Sequence, residues 1–179
     1  MQCENGVKGR AKQEESDDQA ILIGLGANLP SRFGPPEETL KAALRRLQEA
    51  GVRLRRLSRF WRSRPVPISD QPWFVNGVAA VETDLPPEAL LALLHRIEAE
   101  FGRLRGEINA ARSLDLDLLA YGRLIRETSP ILPHPRLAER AFVLLPLAEV
   151  APGWRHPLSG RAIAALIAEL PADQVTEPL

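Results

Sequence analysis

Asp115 and Asp117 are separated by a single residue, Leu116, in a stretch that reads as a β-strand. Side chains alternate along a strand, so both carboxylates fall on one face while Leu114, Leu116 and Leu118 point to the other, into a core. Two carboxylates a few ångströms apart repel unless positive charge sits between them. Magnesium suits such a pair, because it takes few carboxylates and completes its shell with waters and substrate phosphates. Aspartate is disfavoured in strands. Two on one face therefore ask for a reason beyond an ordinary solvent-facing edge, which is the competing reading. Arginines surround the pair: Arg103 and Arg105 upstream, Arg112 three residues before Asp115, and Arg140 downstream. Guanidinium groups and magnesium are recurring parts of phosphoryl transfer, where they neutralise the phosphate chain and hold attacker and leaving group in line. Taken one at a time, each arginine reads more readily as a surface residue.

A second cluster, Gln71-Pro72-Trp73-Phe74-Val75-Asn76, has the parts needed to hold a planar heterocycle. Aromatic faces stack on a ring, and an amide both donates to and accepts from its edge. Phe74 and Asn76 share strand parity and hence a face. Alone, the same residues read as a core phenylalanine and a strand-edge asparagine. His134 stands between two prolines, and His95 and Glu98 are spaced i, i+3 on a helix, where an exposed polar pair is the default expectation.

These residues need a frame. Ile21–Gly26 is a short apolar run ending in glycines, a buried central strand followed by a turn. Pro35 and Pro36 open a helix with Leu40, Ala43, Leu44 and Leu47 on one stripe, ended by Gly51. Residues 52–64 read as one long strand with a broken alternation, consistent with a bulge. A valine-rich strand follows over 74–83. Asp84 is positioned to cap the next helix, whose stripe is Leu90, Leu94, Ile97 and Phe101 and whose stop is Gly102. Residues 103–113 form a loop. The strand with the aspartates spans 114–121, and Leu124-Ile125 adds a short edge piece. Helices are expected over 137–149 and 159–170, the latter with Ile163, Leu166, Ile167 and Leu170 inward. The order β-α-β-β-α-β is the ferredoxin-like arrangement: an α+β antiparallel sheet with helices on one face and extra C-terminal helices. Residues 1–19, polar and aperiodic, read as a disordered tail ahead of a single domain over 20–179.

Composition narrows the partners. With 179 residues and 45% apolar content, one domain can build a core. Charges balance at 23 against 23, which gives no broad attraction to nucleic acid or anionic membranes. Arginine supplies 20 of the 23 positive residues, a weak pointer to phosphate recognition. One cysteine allows no intrachain disulfide. Three scattered histidines make no zinc cluster. With neither a membrane-length apolar run nor a signal-peptide core, a cytoplasmic protein is expected, and a monomer.

The clusters occur together in one order. Gly24-Leu25-Gly26-Ala27-Asn28-Leu29, Asp70-Gln71-Pro72 through Asn76, Ile97-Glu98 and Gly102-Arg103-Leu104-Arg105 come first. Arg112-Ser113-Leu114-Asp115-Leu116-Asp117, Pro133-His134-Pro135-Arg136, Arg140, Phe142 and Pro146-Leu147 follow. In this the stretch from Ile21 to about Pro157 resembles the 6-hydroxymethyl-7,8-dihydropterin pyrophosphokinase family of folate biosynthesis. The resemblance implies a reaction in which pyrophosphate moves from ATP to the pterin hydroxymethyl oxygen, releasing AMP. It implies two Mg²⁺ on Asp115 and Asp117, with Arg112, Arg103 and Arg105 on or over the phosphate chain. His95, Glu98 and Leu118 would lie by the nucleotide, with His134 and Arg140 near its phosphates or ribose. Phe74 and Phe142 would sandwich the pterin, Asn76 would bond its edge, and Ser63 and Val66 would line the pocket. The loop Gly106–Ala111 departs from the family pattern: it is one residue shorter and lacks the Trp-Gly-Pro that precedes the equivalent arginine in better-known members. Other readings are a different Mg²⁺-dependent nucleotidyl or phosphoryl transferase on the same fold, or a catalytically weak pterin- or nucleotide-binding module. A ferredoxin-like RNA-binding domain fits less well, given neutral charge and few aromatics on the Arg-rich second strand.

Overall fold

The computed structural model describes residues 17–103 and 111–179. Apolar residues and glycine make up the whole of Ile21–Ala27, which forms strand β1. Such a run lacks an exposed face, and it lies between two antiparallel neighbours in the middle of a sheet. Helix α1, Pro36–Glu49, follows and ends at Gly51, whose φ of +88° suits glycine at that position. Strands β2, Arg53–Leu57, and β3, Trp61–Ser63, pair in succession along the long strand β4, Phe74–Glu82. Helix α2, Pro87–Glu100, leads back to β5, Asp115–Tyr121, which takes the other side of β1. A 3-10 turn, Leu137–Glu139, then precedes helices α3, Ala141–Val150, and α4, Ile163–Ala168. A last strand, β6, Thr176–Pro178, closes the far edge, giving the order β5-β1-β4-β3-β6 with β2 also on β4.

Burial falls into two clusters, one per face of the sheet. Ile23, Leu25, Val75, Ala79, Val81, Leu116 and Leu118 meet Leu40, Leu44 and Leu47 of α1 and Leu90, Leu94 and Ile97 of α2. Leu22, Val78, Ala80 and Leu119 meet Leu144 and Leu147 of α3, Leu166 of α4 and the fully buried Trp154. The α+β ferredoxin-like order is present. The expected core helices share one face, and the C-terminal helices cover the opposite one.

Several boundaries differ from the sequence reading. The strand expected over 52–64 is two strands broken at Ser58–Arg59–Phe60, with the anticipated irregularity at Arg55. Ser58 uses its hydroxyl at the break, accepting from the Val78 N–H and donating to the Arg59 carbonyl, so the break is hydrogen-bonded rather than loose. Asp84 does not cap α2; Pro86 stands at that position, without a side-chain bond. Leu124-Ile125 forms no edge strand, and the nearby bridge joins Arg126 to Leu132. The helix expected over 137–149 is interrupted at Arg140, whose backbone is extended, and that expected over 159–170 shrinks to Ile163–Ala168. Strand β6 was not anticipated. Residues 17–19 of the expected tail are among those described. Asp17 is fully buried, paired with Arg56 at 2.7 Å and accepting the Gly153 N–H at 2.9 Å. Residues 1–16 of the expected tail lie outside the described residues. No helix among those described is long and apolar enough to cross a membrane.

Candidate active site

The pairing of β1 with β4 and β5 sets out the site. Register places Gly26 between Asn76 on one side and Asp115 on the other, and Gly24 between Val78 and Asp117. Strand parity then puts Asn76, Gly24, Gly26, Asp115 and Asp117 on the face that α3 and α4 only partly cover. The uncovered part is a cavity of about 340 Å³. Its floor depends on the two glycines. A Cβ at Gly26 would lie 3.4 Å from the Asn76 side-chain oxygen and 3.7 Å from Asp115 Cβ, filling the space between amide and carboxylate.

One wall carries charge. Arg112 reaches Asp115 at 2.7 Å, and Arg103 reaches the other oxygen of Asp115 at 2.6 Å. Arg140 stands 3.8 Å from Asp117 and lies over the Phe142 ring at 5.4 Å. Because β5 is an edge strand, the outward N–H of Leu116 has no strand partner. Glu98, buried on α2, accepts that N–H at 2.7 Å and also pairs with Arg103. The chain Glu98–Arg103–Asp115 thus wraps the sheet edge.

The electrostatics follow from burial. Desolvation pushes Asp117 above the ordinary carboxylate range, and the neighbouring Asp115 pushes the same way, while His134 and Arg140 oppose them. Burial is also the largest cause for Glu98, whose carboxyl is raised to about 7 against the bonds from Leu116 and Arg103. Burial lowers His134 despite Asp117 beside it, and lowers Arg140 with Arg136 adding repulsion. Asp117 thus remains raised with Arg140 and Arg103 both nearby. Asp115 is held at both oxygens by Arg112 and Arg103, whereas Arg140 comes no nearer to Asp117 than 3.8 Å. Among the described residues no group of three or more His, Cys, Asp or Glu side chains could hold a metal. A two-carboxylate donor set remains, which fits a hard divalent cation sharing its shell with phosphate oxygens and water.

The other wall suits a planar ring. Phe74, Phe142, Asn76, Ser63 and Val66 all line the cavity. Asn76 is buried and donates to the Ser63 hydroxyl at 2.9 Å, which fixes the orientation of its amide. Asn28, quoted above only as part of a motif, proves to be a tether. Its side-chain oxygen accepts the Arg112 N–H at 2.7 Å, and its amide nitrogen donates to Gln71 and to the Pro72 carbonyl at 3.2 Å. One buried side chain thus ties the segment before β5 to the segment before β4.

The structure therefore gathers Arg112, Asp115, Asp117, Arg140, Ser63, Val66, Phe74, Asn76 and Phe142 around one cavity. Arg103 and His134 stand behind the aspartates. Glu98 is not an exposed partner of His95: it is buried, because position 98 falls on the apolar stripe of α2. His95, half-buried on α2, does not line the cavity. The Leu118 side chain points into the core on the far face, so it offers a nucleotide no side-chain contact there. Arg105 and residues 106–110 lie outside the described residues.

Arginines and carboxylates gather on one wall, and aromatic rings with a fixed amide stand next to them on the same sheet face. Such a pairing suits a class of transferase that moves phosphate groups on to a heterocyclic acceptor. A family model described as 7,8-dihydro-6-hydroxymethylpterin-pyrophosphokinase (HPPK) matches residues 22–152, and the chain belongs to that family. It is 41% identical over 161 residues to the 2-amino-4-hydroxy-6-hydroxymethyldihydropteridine pyrophosphokinase of Pseudomonas aeruginosa, covering 88% of this chain and 95% of that one. The protein of the same name from Synechocystis is 40% identical over 151 residues, 83% of this chain and 75% of that one. The folic acid synthesis protein fol1 of Pneumocystis carinii is 39% identical over 156 residues, but these cover 86% of this chain and only 20% of the fungal protein. A crystal structure of an HPPK-DHPS in complex with substrates shares the fold, with a TM-score of 0.63 at 13% identity over 83% of this chain and 42% of that one.

Proposed function

We propose that this chain transfers pyrophosphate from ATP to the hydroxymethyl group of 6-hydroxymethyl-7,8-dihydropterin in folate synthesis, releasing AMP. One observation carries the reading beyond family membership. The ring-binding residues and the phosphate-gripping residues line a single cavity, with only Gly26 between Asn76 and Asp115. The acceptor hydroxyl can therefore be presented beside the phosphate chain without either substrate crossing the sheet.

The ring would lie between Phe74 and Phe142 with its edge on Asn76 and Ser63. Aromatic faces exclude water and orient the ring, and the fixed amide selects its donor and acceptor pattern. Arg112 and Arg140 would hold phosphate oxygens, with Arg103 supporting from behind Asp115. The hydroxymethyl oxygen attacks the β-phosphorus of ATP; the bond from that phosphorus to the α–β bridging oxygen breaks, AMP leaves, and the hydroxyl proton is lost. Asp115 and Asp117 are suited to hold Mg²⁺, two ions in our reading. Bound there, the metal would neutralise charge on the phosphate chain and align it. The residues themselves supply proximity and fixed positive charge rather than a strong base.

The test is product identity. Protein, Mg²⁺, ATP and hydroxymethyldihydropterin should yield AMP and pterin pyrophosphate in equal amounts. ADP as the product would sink the assignment, and so would AMP formed without the pterin. Binding of both substrates without product would point instead to a binding module.

A further inference from the structure

Arg140 stands where the chain leaves the 3-10 turn Leu137–Glu139 and enters α3, and its backbone there is extended, with φ −116° and ψ 114°. No side chain of the turn or of α3 caps that helix start. The partner comes from residues outside the part of the chain that the HPPK family model matches. Gln174 accepts the Ala141 N–H on its side-chain oxygen at 2.8 Å, and donates its side-chain N–H to the Glu139 carbonyl at 2.7 Å. One amide thus binds the peptide groups immediately before and after Arg140, as a neighbouring strand would. Gln174 is itself anchored. Just beyond it the chain pairs with β3 on the opposite wall of the cavity: the Arg64 N–H donates to the Val175 carbonyl at 3.2 Å, and Ser63 stands opposite Thr176.

We propose that Gln174 is a positioning residue for Arg140, holding the extended kink that aims this guanidinium past the Phe142 ring towards Asp117. It touches neither substrate nor metal. The kink must be held from outside, because an arginine whose neighbouring peptides are unpaired can continue the helix or swing away from the cavity. The wall bearing Arg140 and Phe142 is tied in this way to the wall bearing Ser63. The catalytic consequence rests on the function proposed above, whereas the bracket itself does not.

The experiment uses the full chain with Gln174→Ala and reads two quantities. Hydrogen exchange at the Ala141 amide should accelerate while amides deeper in α3 keep their protection. Pterin-dependent kcat/KM should fall about tenfold, in line with the loss of alignment at a phosphate-gripping residue. In an Arg140→Ala background the same substitution should cost nothing further, because Gln174 acts only through Arg140. If Gln174→Ala does not fold, Gln174→Met replaces it: it fills a similar volume but offers neither the acceptor for Ala141 nor the donor to Glu139, and the expected losses have the same pattern. Unchanged Ala141 exchange overturns the proposal. So does an unchanged kcat/KM, or a loss that repeats in full in the Arg140→Ala background. If the unaltered protein makes no pterin-dependent AMP, the proposed function fails instead, and the exchange measurement still decides the bracket.

Discussion

Replacing Glu98 with glutamine should make the metal-free protein more stable at alkaline pH and leave it nearly unchanged in acid. Glu98 is 2% exposed, and its carboxyl is raised from 4.5 to about 7, chiefly by burial. A group whose folded value lies above its unfolded value stabilises the fold fully only below the unfolded value, and that contribution disappears as pH rises through the folded one. For Glu98 the window runs from about 4.5 to about 7. At about 1.4 kcal/mol per pH unit, the ionised form costs about 3 kcal/mol of folding stability above that window. Glutamine keeps an oxygen to accept the Leu116 N–H, now bonded at 2.7 Å, and carries no charge to desolvate. It gives up the charged pair with Arg103, but the opposing pull of that arginine is already included in the raised value. Urea unfolding in EDTA at pH 5 and pH 8.5 supplies the comparison. The difference between Glu98→Gln and the unaltered protein should move by about 3 kcal/mol in favour of the variant between the two pH values. Parallel stability curves would refute the reasoning, because they would mean that Arg103 and Leu116 fully compensate the buried carboxylate. Turnover should move the other way. Arg103 bridges Glu98 and Asp115, so the variant loses one of the two anchors of a guanidinium beside the proposed phosphate site.

Asp117→Asn should abolish turnover, by on the order of 10³-fold, and also stabilise the metal-free protein above neutral pH, since burial and Asp115 raise the Asp117 carboxyl. Melting curves with and without Mg²⁺ and ATP should show ligand stabilisation in the unaltered protein and little in this variant; equal stabilisation in both would remove Asp117 from the metal site. Phe142→Ala should weaken pterin binding by about 1–3 kcal/mol, the range for losing one stacked ring, while ATP affinity changes far less. Fluorescence titration with each ligand separates the two, and equal losses would count against the stacking role. Asp17→Ala should lower stability by about 1–3 kcal/mol, because it leaves the Gly153 N–H and Arg56 without their buried partner. A denaturation midpoint identical to that of the unaltered protein would place the domain boundary after Asp17.

Period-two arithmetic was enough to put Asp115 and Asp117 on one face with Leu114, Leu116 and Leu118 behind them, and it placed Phe74 beside Asn76 in the same way. Apolar periodicity also held for the cores of α1 and α2, where a single stripe faces a single sheet. It failed for the C-terminal helices, and the start of α3 depends on a partner far away in sequence. The peptides on either side of Arg140 are bonded by Gln174, and Asp17 is buried against Arg56 and Gly153. None of these pairs leaves a local signature, because a side-chain amide or carboxylate bonding a distant peptide group obeys no helical or strand period.

Glu98 is a different kind of miss, since its burial was readable. Leu90, Leu94 and Ile97 define the inward stripe of α2, and position 98 follows Leu94 by one helical turn, on that stripe. Charge argued for solvent and periodicity argued for the core. Periodicity prevailed because an edge strand supplies something the core otherwise lacks, an unpaired N–H at Leu116, together with Arg103 to share the charge. The price of burying the carboxylate is accepted at the one place where a buried acid can fix the arginine behind Asp115. A charged residue that breaks an apolar stripe is therefore more informative than one that respects it. In this chain it marks, from sequence spacing alone, the point where the helix layer reaches around the sheet edge to the aspartate pair.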